Sequence, residues 1–196
     1  MLLDGALLTL IVALLGGGRL RRLKEVDLRA PALFVLAALV QVALVALAVR
    51  GSSLAARAGP AALLGSYALL LGALWLNRRW WGMRLAGLGV LLNLAVIAAN
   101  GGSMPVDRDL AARAGDAGLL RLLDSPTYPL HHPATDETRL APLADVLPLP
   151  MLVPRPRFFA PGSLGDILIT TGACWLILSW LGAFGLRPQG QGRAPG

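Results

Sequence analysis

Apolar residues run along this chain in five blocks, separated by short polar or charged stretches. The blocks cover residues 1–17 ("MLLDGALLTLIVALLGG"), 31–50, 60–77, 80–99 and 164–185. Crossing ~30 Å of hydrocarbon takes about 20 apolar residues as a helix, so five membrane-spanning helices are expected. Pro31 and Pro60 open the second and third blocks, where a missing N–H is harmless in a first helical turn. The predicted fold is all-α: a single polytopic membrane helix bundle over 1–196, with the polar interval 100–163 as an extracytoplasmic cap.

That interval breaks the pattern. "NGGSMP" at 100–105 reads as a helix end and a turn, its glycines allowing backbone angles that other residues avoid. "DRDLAARAGDAGLLRLLD" at 107–124 carries Leu110, Ala114, Ala117 and Leu120 as an apolar stripe behind Asp107 as N-cap. It predicts one short amphipathic helix on the membrane surface. "HHPATDETRLAPLADVLPLP" at 131–150 is the most polar stretch of the chain. Thr135 or Asp136 is expected to cap a turn there, and Arg139 to pair with Asp136 or Glu137. "LADVLPLPMLVPRPRFF" alternates apolar residues with prolines, which rules out a regular helix and predicts an extended crossing held against protein.

Composition sharpens the class. Hydrophobic residues make up 56% of the chain and charged residues 15%, against about 25% charged in soluble domains. A net charge of +7 would suggest nucleic acid in a soluble protein. Here the basic residues flank apolar blocks, in "GRLRRLKEVDLRA" at 18–30 and "NRRW" at 77–80 with Arg84, so no nucleic-acid partner is expected. Lys and Arg of short loops stay cytoplasmic. The N-terminus and the cap are then outside, and the C-terminal tail with Arg187 and Arg193 inside. The first block lacks a basic leader and a cleavage site, and is expected to be a retained span. Trp75, Trp80, Trp81 and Trp180 fall near the inner interface as an aromatic belt. Gly65 and Gly72 share a face of the third span, and Gly82, Gly87 and Gly89 thin the fourth, for close helix approach. The single cysteine, Cys174, excludes an intrachain disulfide and reads as a packing residue.

Polar groups within the spans concentrate in the outer half. Gln41 lies roughly 13 Å below the outer end of the second span, and Asn93 roughly 10 Å below Asn100 on the same face. Ser66 and Tyr67 lie near the outer end of the third. Asp166 opens the fifth span, with Thr170 and Cys174 following on its face, and Asp4 begins the first. Such groups are costly in lipid unless they face protein or water. They predict one outward-facing polar site built from Asn100, Asn93, Gln41, Tyr67 and Thr170, with Asp136, Glu137, Arg139 and His131 from the cap.

Candidate chemistry narrows to carboxylates. His131, His132, Asp136 and Glu137 carry metal-ligand atoms, but adjacent histidines point apart and no H-E-x-x-H or C-x-x-C spacing exists, so neither a metal nor a cofactor is expected. No G-x-S-x-G is present for a serine nucleophile. Asp145 and Asp166 both fall near the outer surface, and two aspartates sharing a proton can activate water.

Two resemblances bear on this pattern. "DILITTG" at 166–172, opening the last span, and "NGG" at 100–102 resemble motifs of lipoprotein signal peptidases, which implies a membrane aspartyl peptidase using Asp145 and Asp166. "NGGSMP", "TDETRLAPLADVLPLP", "SLGDILITTG" and the early "GGGRLRRL" together look like a family of bacterial multi-pass membrane proteins of unknown function. That resemblance spans nearly the whole chain and implies a bacterial cytoplasmic membrane and five spans, with no activity attached.

The reading is an integral membrane protein with an outward-facing polar site, a binding or scaffold subunit whose partners are the bilayer and another membrane protein or lipid. The alternatives are an intramembrane aspartyl hydrolase and a small-solute transporter. The transporter ranks third because the inner half lacks polar residues and no internal repeat is evident.

Overall fold

The computed structural model describes residues 2–125, 127–151 and 159–186. Four helices are long and apolar enough to cross a membrane: α2 (Pro31–Val49), α3 (Ser53–Leu76), α4 (Trp81–Ala99) and α7 (Leu164–Leu181). α1 (Leu2–Leu15) has 14 residues and reaches only about 21 Å, so the first of the five expected spans is shorter than a full crossing. α7 stops at Leu181, ahead of the expected 185, because Gly182 takes a left-handed conformation (φ 68°) and caps it.

The third helix corrects the sequence reading. It begins at Ser53, so Pro60 lies inside it and not at its first position. The extra turns form because the cap packs on them: Gly59 lies against Pro129, and Gly102 (φ 89°) against Pro60. A side chain on either glycine would fill that contact. Gly65 and Gly72, expected at a helix contact, have open space around them. The close approach is between α4 and α7, where Gly82 faces Gly172 and Gly89 faces Gly165.

These contacts fix the relative directions. α4 and α7 run antiparallel, and Gln41 of α2 bonds Ser66 of α3 at 3.1 Å across another antiparallel pair. α1 runs parallel to α7: Gly5 meets Thr170 and Cys174, while Arg19 N–H donates to the Leu181 carbonyl at 2.9 Å. The loop 18–30 and the turn 77–80 therefore share one end of the bundle, which is strongly basic. The cap occupies the other end. Arg187 and Arg193 lie outside the described residues.

Two asparagines tie each end together by the same device. Asn77, fully buried, accepts from Arg29 N–H (2.8 Å) and donates to the Arg29 and Ala73 carbonyls (2.8 Å each). Asn100 accepts from Arg139 N–H (2.9 Å) and donates to the Arg139 and Val96 carbonyls (2.8 Å each). Asn77→Ala removes three hydrogen bonds, two to the part-buried Arg29 backbone and one to Ala73, each worth about 0.5–1.5 kcal/mol. We expect a loss of about 2–4 kcal/mol, read as a lower unfolding midpoint in detergent. Beside it, Trp80 is buried edge-on against Trp180 (5.3 Å between centroids), so it packs the core and does not join the expected belt. Trp75 and Trp81 are exposed.

The cap is built around β1 (Met104–Val106), a wholly buried strand. It pairs in parallel with β2 (His131–Pro133) on one side. On the other, Asp145 N–H donates to the Pro105 carbonyl and Asp107 N–H to the Asp145 carbonyl, both at 3.0 Å. The single helix expected over 107–124 is two, α5 (Arg108–Arg113) and α6 (Ala117–Leu123), broken at Gly115 (φ 70°). Asp107 caps the first, as expected, and Asp116 caps the second. Two cap signals in one apolar stripe override its periodicity. Leu110, Ala111, Ala114 and Leu123 are buried, while Ala117 of the expected stripe is exposed. The pair thus packs into protein. β3 (Leu147–Pro150) and β4 (Phe159–Gly162) form an antiparallel hairpin, the extended conformation expected of this proline-rich segment. Residues 152–158 between them lie outside the described residues.

Candidate functional site

The first functional side chain is placed by a helix start. Ser163 and Asp166 form a reciprocal capping box at the head of α7: Asp166 N–H donates to Ser163 Oγ, and Ser163 N–H to Asp166 Oδ2, both at 3.0 Å. Asn93 of α4 closes a ring. Its Nδ2 donates to Asp166 Oδ1 at 3.0 Å, and its Oδ1 accepts from Ser163 Oγ at 2.9 Å. Asn93 and Ser163 are buried. Gly165 makes the ring possible, since a Cβ there would overlap the Asn93 amide and lie 2.7 Å from the Gly89 carbonyl.

The second is placed by the backbone of the cap. Asn100 holds the Arg139 peptide, Leu140 turns left-handed (φ 54°), and a 3-10 turn at Ala141–Leu143 delivers Asp145 to the edge of β1. The Asp145 carboxyl is buried, and its Oδ1 makes no hydrogen bond. Its Oδ2 is 3.8 Å from His131 Nε2. His131 Nδ1 is in turn 2.9 Å from the Tyr128 hydroxyl.

Burial decides the charges. It pushes the Asp145 carboxyl up to about 8, with the Asp166 carboxylate adding to the effect. It lowers the His131 imidazole to about 4, although Asp166 works in the opposite direction. An ion pair would have moved both groups the other way, so at neutral pH a carboxylic acid faces a neutral imidazole. With the Tyr128 hydroxyl donating to Nδ1, His131 Nε2–H faces Asp145. Burial also raises the Tyr128 phenol to about 12, so it remains protonated.

Asp145 and Asp166 line the same cavity of about 260 Å³, together with Gln41, Tyr67, Asn93 and His131. Its other walls are Tyr128 and apolar side chains, with no Lys or Arg among the described lining residues. A second hollow of about 230 Å³ adjoins it, sharing Gln41, Tyr67 and Asp166. Its remaining lining is largely apolar: Leu70, Leu149 and Ile169, the β4 backbone at 160–162, and Thr170. The arrangement is one cleft with a polar and an apolar lobe, and Asp166 stands between them.

Of the residues expected in one outward site, Asn93, Gln41, Tyr67 and His131 come together around the two aspartates. Thr170 lines only the apolar lobe. Asn100, Asp136, Glu137 and Arg139 line neither lobe. Asn100 spends its amide on backbone, and the other three are exposed on the turn that Thr135 heads. Arg139 makes no ion pair among the described residues; its peptide, and not its guanidinium, is what the fold uses. His132 turns away to Ser103, and no group of three or more His, Cys, Asp or Glu is brought together among the described residues. Sequence reasoning missed Ser163 and Tyr128. The S-x-x-D spacing before an apolar run was a visible signal for Ser163. Nothing local marks Tyr128.

The chain belongs to a family of unknown function, DUF5317, which it matches over residues 25–178. The match includes every residue of the cleft. No curated protein and no solved structure matches the chain.

Proposed function

We propose that this membrane protein is a hydrolase in which Asp145 and Asp166 act as an acid–base pair on an uncharged amide or ester bond. The supporting observation is that two aspartates from separate elements share one cavity, with no Lys or Arg among its described lining residues, and have unlike surroundings. Asp166 accepts hydrogen bonds at both oxygens, whereas Asp145 has an unbonded oxygen and holds a proton at neutral pH. In the proposed reaction Asp166 takes a proton from a water, whose oxygen attacks the carbonyl carbon, and Asp145 protonates the carbonyl oxygen. Collapse of the tetrahedral intermediate then passes the proton on Asp166 to the leaving amine or alkoxide, while a hydroxyl of the intermediate returns its proton to Asp145 and re-forms the carbonyl. The apolar lobe suits a substrate with an apolar arm.

The test uses the full chain in nanodiscs, with a library of apolar-flanked peptides and lipid esters read by mass spectrometry. Wild type is expected to cleave a subset. Asp145→Asn and Asp166→Asn should each reduce cleavage on the order of 10³-fold, within the range for lost acid–base groups, while remaining folded. No cleavage by wild type, or cleavage unchanged in either variant, sinks the reading. A second reading, a binding or scaffold subunit, is favoured by the closed Ser163–Asn93–Asp166 ring, which a purely structural cap would also make. It predicts that Asp166→Asn lowers stability and alters no turnover.

The basic end is proposed to face the cytoplasm and the cap the exterior, in a cell's inner membrane, by the positive-inside rule. In a Cys174→Ala background, cysteine at exposed position 112 should react with an impermeant maleimide in intact cells, and cysteine at position 21 only after lysis. The reverse pattern inverts the topology.

A further inference from the structure

The basic end of the bundle carries a second built surface, remote from the cleft. Two apolar grooves flank α4 there. One, about 560 Å³, lies between α4 and α7 and is lined by Trp81, Gly82, Leu85, Leu88, Thr171 and Trp175, with Arg84. The other, about 410 Å³, lies between α3 and α4 and includes Leu74, Trp75, Gly87, Leu91 and Arg78, again with Arg84. Arg84 and Leu88 form the ridge between them.

The guanidinium groups at the mouth are held and not neutralised. Arg78 lies over the Trp75 ring (4.3 Å) and donates to the Trp75 carbonyl at 3.0 Å. Arg84 lies over Trp81 (5.2 Å), and its Nε donates to the Arg78 carbonyl at 2.7 Å. Neither pairs with a carboxylate among the described residues, whereas Arg79 beside them is engaged by Asp27 at 3.2 Å. Two adjacent, pre-oriented guanidiniums match the geometry of a phosphate. Along α4 one groove runs from Trp81 to Leu88 and the other from Met83 to Leu91, about 11–12 Å each. That is most of one leaflet of a hydrocarbon core ~30 Å thick.

We propose that this end of α4 binds one anionic diacyl phospholipid, its phosphate on Arg78 and Arg84 and one acyl chain in each flanking groove. Charge, chain number and depth all follow from the two grooves meeting at Arg84. The occupant is a lipid and not a soluble phosphate, because most of the surface it would cover is apolar.

The test titrates brominated phosphatidylglycerol into the full chain in phosphatidylcholine nanodiscs, reading quenching of the exposed tryptophans. Wild type should prefer phosphatidylglycerol over brominated phosphatidylcholine by 10-fold or more. Arg78→Gln with Arg84→Gln should bring that ratio near one. Arg21→Gln with Lys24→Gln, which removes equal charge from the same end, should leave it unchanged. No preference in wild type, an equal loss in the charge-matched control, or displacement by free glycerophosphate would each overturn the proposal. Should the double arginine variant fail to fold, Gly87→Phe carries the test. It fills the α3–α4 groove and should weaken phosphatidylglycerol binding several-fold; unchanged binding overturns the proposal.

Discussion

Gly165→Ala and Gly172→Ala are each expected to lower the unfolding midpoint of the protein in detergent by several degrees, and Gly72→Ala is not. A Cβ on Gly172 would lie 2.5 Å from the Gly82 carbonyl and 2.7 Å from Ala86 N. A Cβ on Gly165 would strike the Asn93 amide and the Gly89 carbonyl. Most of these obstacles are backbone atoms of a packed helix, so α4 and α7 must separate. Overpacking of this kind costs about 1–3 kcal/mol or somewhat more, and roughly 2–4 °C accompanies each kcal/mol in a chain of this size. Gly72 meets nothing within 4 Å, and alanine there even improves helix propensity by up to about 1 kcal/mol. Gly165→Ala should also impair the cleft, because it displaces Asn93 from Asp166. An equal loss for Gly72→Ala would show that intrinsic helix effects, and not the α4–α7 contact, govern stability.

The second large effect expected is a fall in stability between pH 6.5 and 8 that should disappear in Asp145→Asn. Burial raises the folded-state value of Asp145 to about 8, while an unfolded aspartate titrates near about 4. Between those values the folded protein holds a proton that the unfolded chain has released. Stability from this group is therefore complete below about pH 4 and is lost as pH rises toward 8. His131 has the opposite sign. Its value is lowered to about 4, so it removes stability as pH falls from about 6.5. Between 6.5 and 8 Asp145 dominates, and His131 and His132, both lowered by burial, offset part of its effect only near the lower end. At about 1.4 kcal/mol per unit, halving where pH reaches the folded value, wild type should lose about 1.5 kcal/mol across this window relative to Asp145→Asn. Asp145→Asn cannot titrate and should show no fall there, and be more stable than wild type at pH 8. A slope that persists in the variant would assign the titration elsewhere.

Much of the architecture was legible from apolar spacing. α2, α4 and α7 begin within a residue of the expected starts, since a run of apolar residues in lipid has little alternative to helix. The third start was misjudged at Pro60 because a proline signal is local, and the packing of Gly59 and Pro60 against the cap is not. The cap helix was misjudged because an apolar stripe reports a face, whereas its interruption depends on Gly115 and the second cap at Asp116. The cleft was half legible. Asn93, Gln41, Tyr67 and Asp166 were visible as polar residues in the outer half of the expected spans, and Asp145 as a partner for Asp166. Asp136, Glu137 and Arg139 looked equally eligible, and no rule of composition separates a charged residue on an exposed turn from one aimed inward.

By itself, then, the sequence determined the helical class of the protein, the apolar runs that become its long helices and the clustering of basic residues in two loops. Each follows from the local cost of putting polar or apolar groups in a given solvent. Tertiary structure alone decided which glycines touch, that Asn77 and Asn100 pin loops through backbone bonds, and that Asp145 stands in one cavity with Asp166. Those outcomes depend on which peptide groups, far apart in the chain, are left to satisfy one another once the helices have packed. In the polar stretch 131–150, backbone bonds to Asn100 and β1 put Asp145 at the cleft and leave its more highly charged neighbours in solvent.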